Sequence, residues 1–265
     1  MIDPALKQIV IDGALGGSNK KSIRSCLIDM IGMKEKEADD LLNHLPFRNK
    51  PFFINYLDFY NLPISTKAKR LNFPFTQIYE YNRFLNDSEC DELVTIANRI
   101  TRKSSVSNPE GKPLYSDYRT SSTADMKCTD NKIVGWIDTL IAKELGIKHS
   151  LGETLQIQKY CAGEYYKEHN DYFNWNTDEH KTYTEWMGQR TWTFMVYLND
   201  VEEGGETYFK HLGLKIKPKK GTAIFWNNLN PLGIPNKKTM HEALPPMNEN
   251  KYVITKWWRS WSLID

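Results

Sequence analysis

The chain has 265 residues, of which 40% are hydrophobic, so it is long enough for one large catalytic domain and too apolar for a disordered chain. Its 35 basic and 33 acidic side chains leave a formal charge of only +2, which excludes the strongly basic surface typical of nucleic-acid-binding proteins. The 8 Trp, 14 Tyr and 11 Phe favour a β-rich core, because aromatic side chains pack well on pleated sheets.

Targeting and redox signals are weak along the chain. The first 17 residues lack the basic-then-apolar order of a signal peptide, and no apolar run is long enough for a transmembrane helix. We therefore expect a soluble, cytoplasmic protein that does not engage a membrane. No CxxC spacing occurs among the four cysteines, which predicts free thiols and leaves a disulfide between some pair open: Cys26, Cys90, Cys128 and Cys161.

The N-terminal part is predicted to be helical. Apolar residues up to about residue 46 fall in short helix-spaced clusters that break at Gly16-Gly17 and at Gly32. A segment rich in proline and aromatic residues follows, from Leu45 to Arg70, and its apolar content indicates that it packs on the rest of the protein. We predict a helical region with a connector over residues 1–70 and a catalytic domain over residues 71–265.

The remaining elements alternate between two periodicities. A strand over Ile78–Phe84 precedes a helix whose N-cap is supplied by the segment Asn86-Asp87-Ser88 and which continues to Ile100. A second helix spans about residues 130–145 and ends at Gly146. Strands dominate afterwards, at Leu155–Tyr160, Thr191–Leu198, Thr222–Trp226 and Tyr252–Trp258. The order predicts an α+β domain in which helices support an antiparallel β-sandwich or jelly roll.

One HxD motif stands out, at His169 and Asp171. If both lie on one strand, residues i and i+2 face the same side and can bind one metal ion. The motif by itself is weak, because 6 histidines and 33 acidic residues in 265 give about 0.7 HxD or HxE matches by chance.

Later residues strengthen this pattern by their order. His241 follows 70 residues after Asp171, and two histidines with one carboxylate form the facial triad of non-haem iron oxygenases. Lys251 comes ten residues later and could pair with a carboxylate of a chelating co-substrate. Each of these residues alone is more often a surface histidine or a solvated lysine. Their joint order, with a Gly204-Gly205 turn before Thr207, indicates a metal-dependent enzyme.

The sequence resembles the prolyl 4-hydroxylase-like 2-oxoglutarate dioxygenases from about Ile78 to Trp258. The matching blocks, of which the last is the most specific, are Phe84 to Ala97, Ser116 to Met126, Gly152 to Phe173, Gln189 to Phe209, Gly221 to Asn228 and Met240 to Trp258. The resemblance implies a double-stranded β-helix, or jelly roll, with supporting helices. Residues 1–70 have no counterpart in this family core.

The resemblance also implies a site and a reaction. Fe(II) would be bound by His169, Asp171 and His241, and Lys251 would pair with the C5 carboxylate of 2-oxoglutarate. The co-substrate pocket would be lined further by Tyr160, Tyr197 and Thr207. With O₂ as second co-substrate and ascorbate as reductant, the enzyme would hydroxylate a C–H bond and release succinate and CO₂. Peptidyl proline is the substrate that the resemblance favours.

Several alternatives stay open at this stage. The substrate could instead be a free amino acid, a small metabolite or another protein side chain, and a non-catalytic metal-binding β-barrel is the rival from another class. Nucleic acid is disfavoured by Lys251 and the balanced charge. The Arg119–Ser121 segment matches a family stretch near the substrate entrance, and His180 lies in a variable loop that we expect to face solvent. The oligomeric state is not predicted.

Overall fold

Two short helices form a hairpin near the start of the described chain. The computed structural model describes residues 20–29, 31–44, 56–106, 117–126, 131–174, 177–184, 188–230 and 233–260. Helix α1 spans Lys20–Asp29 and helix α2 spans Glu35–His44, with Gly32 at φ +73° between them as the predicted break. They share a small core of Leu27, Ala38, Leu41 and Leu42. The predicted break at Gly16-Gly17 lies outside the described residues.

The described part of the connector, from residue 56 onward, packs against the main body, as its composition predicts. Helix α3 spans Tyr56–Tyr60, and Phe59 packs on the main core while its carbonyl accepts a 2.7 Å hydrogen bond from Trp192 Nε1. Strand β1, Lys69–Phe73, already belongs to the large sheet and therefore crosses the predicted boundary at residue 70. The division into two units stays a proposal.

Two antiparallel sheets form the body of the protein. The strands after β1 are β2 Thr76–Tyr81, β3 Arg102–Lys103, β4 Ser122–Met126, β5 Leu155–Tyr160, β6 Tyr166–His169, β7 Arg190–Tyr197, β8 Thr207–Phe209, β9 Leu214–Ile216, β10 Ala223–Asn227, β11 His241–Ala243 and β12 Lys251–Arg259. The large sheet has the order β1-β2-β10-β7-β12-β5-β4-β3, and the small sheet the order β6-β11-β8-β9. The predicted α+β jelly roll, a double-stranded β-helix with supporting helices, is confirmed.

Three further helices follow the connector. Helix α4, Asp87–Ile100, begins with a capping box in which Asn86 and Glu89 exchange hydrogen bonds, and Asn86 belongs to the segment in which the sequence predicts the N-cap. Helix α5, Lys132–Leu145, ends at Gly146 with φ +68°, where a Cβ atom would lie 2.5 Å from Pro63 Cγ. Helix α6, Asp178–Thr184, occupies part of the region that we predicted as a loop around His180.

The large sheet separates two hydrophobic cores. The helix-side core packs Trp192, Phe194 and Val196 of β7 with the buried faces of α4 and α5. The inter-sheet core contains Met195 and Tyr197 from the opposite face of β7, together with residues of the small sheet. Because side chains alternate along a strand, one strand supplies both cores. The predicted alternation of the strand over Thr191–Leu198 is confirmed, and the observed strand β7 begins and ends one residue earlier.

Two smaller expectations have partial outcomes. Among the described residues, none of the helices combines the length and the apolar character that a membrane crossing requires. Cys90 is a buried free thiol and Cys161 an exposed one. The side chain of Cys26 and the whole of Cys128 lie outside the described part of the chain.

The predicted strand over Ile78–Phe84 begins earlier and ends at Tyr81, because the chain turns there before α4.

Candidate active site

Two histidines face each other across neighbouring strands of the small sheet. His169 ends β6 and pairs in register with His241, which begins β11, and their ring centroids are 4.3 Å apart. In each ring Nδ1 hydrogen-bonds a backbone carbonyl two residues earlier, at 2.8 Å for His169 and 2.9 Å for His241. A carbonyl accepts only from an N–H, so in the neutral form of each ring the free lone pair is on Nε2. Those lone pairs are available to a metal ion.

The third donor is Asp171, which is buried and lies beyond the end of β6. Our premise that His169 and Asp171 occupy one strand was therefore wrong, because the strand stops at His169 and the chain bends. Even so, Asp171 Oδ1 lies 3.8 Å from His169 Nε2 and Oδ2 lies 4.0 Å from His241 Nε2. One donor atom from each residue fits within 4.8 Å of the others. The bend brings the carboxylate to the same point as the imidazoles.

A chain of buried hydrogen bonds holds Asp171 against the large sheet. Thr193 Oγ1, on β7, donates to Asp171 Oδ2 at 2.7 Å and accepts from Asn228 Nδ2 at 2.9 Å. Asn228 Oδ1 in turn accepts from Trp226 Nε1 at 2.9 Å. Each polar group in this chain has a partner, so the carboxylate is oriented before any ligand binds.

Burial shifts the pKa of two of the three donors. It lowers the pKa of His169 to about 3, so this imidazole is neutral at physiological pH. For Asp171 burial acts to raise the pKa, but the interactions with the two histidines, the charge of Arg190 and the hydroxyl of Thr193 outweigh it. The pKa of Asp171 therefore lies below its ordinary value. A neutral imidazole and an ionised carboxylate are the forms that bind a metal ion.

Lys251 lies in the same pocket as the three donors and is buried. It begins β12 opposite Tyr160, and its Nζ lies 5.1 Å from the Tyr160 ring centroid and 5.7 Å from that of Tyr197. Burial lowers the pKa of Lys251 to about 7, and only the charge of Glu206 opposes this. Among the described residues no carboxylate lies within ion-pair distance of its ammonium group. An anionic ligand would supply the missing counter-charge.

Hydroxyl groups complete the lining near Lys251. Tyr197 Oη donates to Thr207 Oγ1 at 2.8 Å, and Thr207 begins β8 directly after the predicted glycine turn. In that turn Gly204 has φ +76°, and a Cβ atom there would lie 2.2 Å from Pro245 O, so a larger residue is excluded. The turn thus sets the position of Thr207 relative to Lys251.

An outer cleft of about 370 Å³ opens beside this pocket. The two spaces share Tyr166, Asp171 and Trp257. Tyr166 stacks on His169 with ring centroids 3.5 Å apart, and the guanidinium carbon of Arg119 lies over the Tyr166 ring at 4.8 Å from its centroid. A larger groove of about 580 Å³ lies elsewhere and contains none of the three donors, so it is not the metal pocket.

Six of the seven predicted site residues line one pocket: Tyr160, His169, Asp171, Thr207, His241 and Lys251. The seventh, Tyr197, reaches this group through its hydrogen bond to Thr207. The sequence analysis missed Thr193 and Asn228, which orient Asp171, and it missed Glu153 and Arg190 in the outer cleft. A signal existed for Thr193, because it interrupts the apolar inter-sheet face of β7. For Asn228 no periodicity indicates a role, since its partner is 35 residues away.

Comparisons with known proteins agree with this site. Residues 155–259 match the family model of the 2OG-Fe(II) oxygenase superfamily. Probable prolyl 4-hydroxylase 3 of Arabidopsis thaliana is 34% identical over 199 residues, which cover 68% of either chain. Prolyl 4-hydroxylase subunit alpha-1 of Gallus gallus is 32% identical over 221 residues, which cover 82% of this chain and 42% of that protein. The chain thus spans about two fifths of the length of that relative.

A solved structure with the same fold supports the assignment. The viral collagen prolyl hydroxylase from Paramecium Bursaria Chlorella virus-1, in its 2OG complex, superposes with a TM-score of 0.54 at 30% sequence identity. The match covers 69% of this chain and 95% of the viral one. Sequence and structure therefore point to the same group of proteins.

Proposed function

Because this chain belongs to the prolyl 4-hydroxylase-like group of the 2OG-Fe(II) oxygenase superfamily, we propose that it is an Fe(II)- and 2-oxoglutarate-dependent prolyl hydroxylase. The observation that carries the proposal is one pocket in which His169, Asp171 and His241 converge beside buried Lys251. Proteins with similar folds catalyse many different reactions, so the function is inferred from the metal donors and not from the fold.

We assign His169, Asp171 and His241 as the iron ligands. Two neutral imidazole nitrogens and one carboxylate oxygen form the facial triad that suits Fe(II), and the triad leaves other positions open for a co-substrate. The hydrogen bond from Thr193 keeps the second Asp171 oxygen occupied. The donor chemistry of this pocket therefore fits the metal that the family uses.

The other pocket residues are assigned to 2-oxoglutarate. Lys251 would pair with its distal carboxylate, with hydroxyls of Thr207 and Tyr160 and the ring of Tyr197 around it. When bound together, Fe(II), 2-oxoglutarate and O₂ supply the oxidising chemistry, and 2-oxoglutarate leaves as succinate and CO₂. The protein orients the co-substrate and, through its aromatic wall of Tyr160, Tyr166 and Tyr197, excludes water from the pocket.

We propose a proline in a peptide as the substrate. The relatives named above are prolyl hydroxylases, and the outer cleft meets the pocket at Asp171, between Tyr166 and Trp257. A proline ring is apolar and has no N–H to satisfy, so an aromatic passage is a suitable environment for it. We also propose that ascorbate is the reductant, which is tested by measuring turnover with and without it. We further propose a cytoplasmic location, which cell fractionation tests.

Turnover with proline peptides tests the function directly. Purified protein with Fe(II), 2-oxoglutarate and ascorbate should release succinate and add 16 Da to a proline-containing peptide, located by fragmentation to the proline. The His169→Ala variant should do neither. Succinate release in the variant at the wild-type rate would contradict the ligand assignment. Absence of 2-oxoglutarate binding to the wild type would favour a non-catalytic metal-binding protein.

A further inference from the structure

The outer cleft contains more guanidinium groups than carboxylates. Outside the three metal donors, the charged side chains among the described residues of its lining are three arginines and two carboxylates, in a space of about 370 Å³: Arg119, Arg190, Arg259, Glu153 and Glu179. One positive charge is therefore in excess. The imbalance is unusual because a buried charge is normally paired.

Glu153 neutralises one of the two arginines that share it. Arg190 binds it with both ends of the fork, Nε to Oε1 at 2.6 Å and Nη2 to Oε2 at 2.8 Å. Arg259 Nε lies 2.5 Å from Oε1, so two guanidinium groups share this one carboxylate. Burial acts to raise the pKa of Glu153, but the two arginines outweigh it and lower this pKa to about 2. The carboxylate is thus fully ionised, but its single negative charge cannot balance the two positive charges of Arg190 and Arg259.

Arg259 remains charged at neutral pH although it is buried. Burial lowers its pKa to about 10, an effect that Glu153 opposes and Arg190 reinforces. Its Nη1 donates to the carbonyls of Tyr183 and Gly188, which fixes the guanidinium at the wall of the cleft. This charged group shares one carboxylate with Arg190 and is held rigidly at the edge of the space that a substrate would enter.

Arg119 does not receive a compensating carboxylate either. Its guanidinium donates to Ser121 Oγ at 3.1 Å, to Thr123 Oγ1 at 3.2 Å and to Ser105 O at 3.3 Å, all neutral acceptors. Within the described chain no carboxylate lies at ion-pair distance from it. The negative charge of Asp171 does not fill this role, because it faces the metal position between His169 and His241.

The excess persists when the pocket is loaded. On the proposed function, Fe(II), Asp171, the dianionic co-substrate and protonated Lys251 sum to zero charge. The cleft therefore keeps its own surplus at the moment when substrate enters. A low-dielectric space with one unmatched cation attracts an anion and disfavours a second cation.

We propose that the outer cleft selects peptides with an acidic side chain next to the hydroxylated proline, and that Arg259 is the specificity-determining residue. This inference rests on the proposed function. The carboxylate of an Asp or Glu beside Arg259 would balance the positive charge that Glu153, shared by two arginines, leaves over. A peptide with a lysine or arginine at that position would be disfavoured by like-charge repulsion.

A matched peptide pair tests the proposal. Two fluorescent proline peptides differ only in Glu or Gln beside the proline, and their affinity is measured by anisotropy and their hydroxylation by mass shift. The wild type should bind the Glu peptide about tenfold more tightly, the lower range for a hydrogen bond to a charged group. This preference should shrink as salt is raised.

Variants identify the residue responsible. Arg259→Gln should reduce the preference to about twofold or less, and Arg259→Lys, which retains the charge, should keep most of it. Arg102→Gln is the matched control, because Arg102 is exposed, pairs with Asp125 and lines neither space. Thermal melts show whether each variant folds. If Arg259→Gln does not fold, the difference in wild-type affinity between the Glu and Gln peptides tests the acidic selectivity without it.

The outcomes separate this inference from the proposed function. Equal affinity of the wild type for both peptides at low salt, with both hydroxylated, overturns only the acidic selectivity. An unchanged preference in folded Arg259→Gln overturns the role of Arg259. If neither peptide binds or is hydroxylated, both the prolyl substrate and the inference built on it fail.

Discussion

The two faces of strand β7 serve different purposes. Toward the helices it presents Trp192, Phe194 and Val196, which pack into an apolar core with α4 and α5. Toward the small sheet it presents Thr193 and Tyr197, whose hydroxyls bond Asp171 and Thr207. Neighbouring residues on this strand thus belong to a packed core and to a polar pocket. The helix-side face needs volume and shape, whereas the pocket face needs hydrogen-bond partners at fixed positions.

This difference teaches how a β-sandwich can position a metal without losing stability. Burying polar groups costs free energy unless each is paired, and the chain from Trp226 through Asn228 and Thr193 to Asp171 pairs every member. The apolar face behind it supplies the stabilisation. Substitutions on the two faces should therefore separate into those that change folding and those that change binding.

The largest effect is expected from Asp171→Asn. The amide lacks the charge that a metal ion requires, so activity should fall by more than the 10–100-fold that is typical for residues around a ligand. The melting temperature of the metal-free protein should change little, because the volume is preserved. Metal titration followed by succinate release measures both quantities. Metal affinity equal to wild type would contradict the assignment of Asp171.

Phe194→Ala tests the opposite face. Phe194 stacks on Phe225 at 4.8 Å and lies 5.0 Å from the Phe84 ring, so its removal leaves a cavity in the helix-side core. The free energy of unfolding should fall by about 3–5 kcal/mol, as in other aromatic-to-alanine core changes. Denaturant unfolding measures this loss, and kcat/KM of the folded fraction should stay near wild type. A selective loss of kcat/KM would break the division between faces.

Thr193→Val is the change on the pocket face of β7 that matches Phe194→Ala on the helix-side face. It keeps the shape but removes the hydroxyl between Asp171 and Asn228, so metal affinity should fall by about 10–100-fold. Stability should fall by about 1–3 kcal/mol, because Asn228 loses its acceptor, and this is less than for Phe194→Ala. Thr193→Ser retains the hydroxyl and should restore metal binding. Equal weakening in both variants would argue against the hydrogen bond.

The smallest effect is a pH dependence from Lys251. Its pKa of about 7 means that the ammonium form, which attracts the co-substrate carboxylate, is present below that pH and is lost above it. The KM for 2-oxoglutarate should therefore rise above neutral pH, at most about tenfold per pH unit. Lys251→Arg keeps its charge and should flatten the profile between pH 6.5 and 9. A wild-type profile as flat as the variant's would contradict the burial of an unpaired ammonium group.

Local rules predicted the elements that depend on short-range signals. The cap at Asn86, the stop at Gly146 and the alternation along β7 all follow from residues within a few positions of one another. The HxD pair with His241 and Lys251 was found by spacing and by resemblance to a family. The end of β6 was not predicted, although Asn170 and Asp171 are turn-favouring residues, because the metal-ligand pattern was interpreted on a continuous strand.

The sequence by itself determined the kinds of donors and their order, because a facial triad needs two imidazoles and a carboxylate whatever the fold around them. Only the tertiary structure decided their convergence, by pairing His169 with His241 across two strands and holding Asp171 on Thr193. It alone also decided the charge surplus of the outer cleft, since Glu153, Arg190 and Arg259 meet over separations of 37 residues and more. Such contacts depend on long-range packing, which no local pattern encodes.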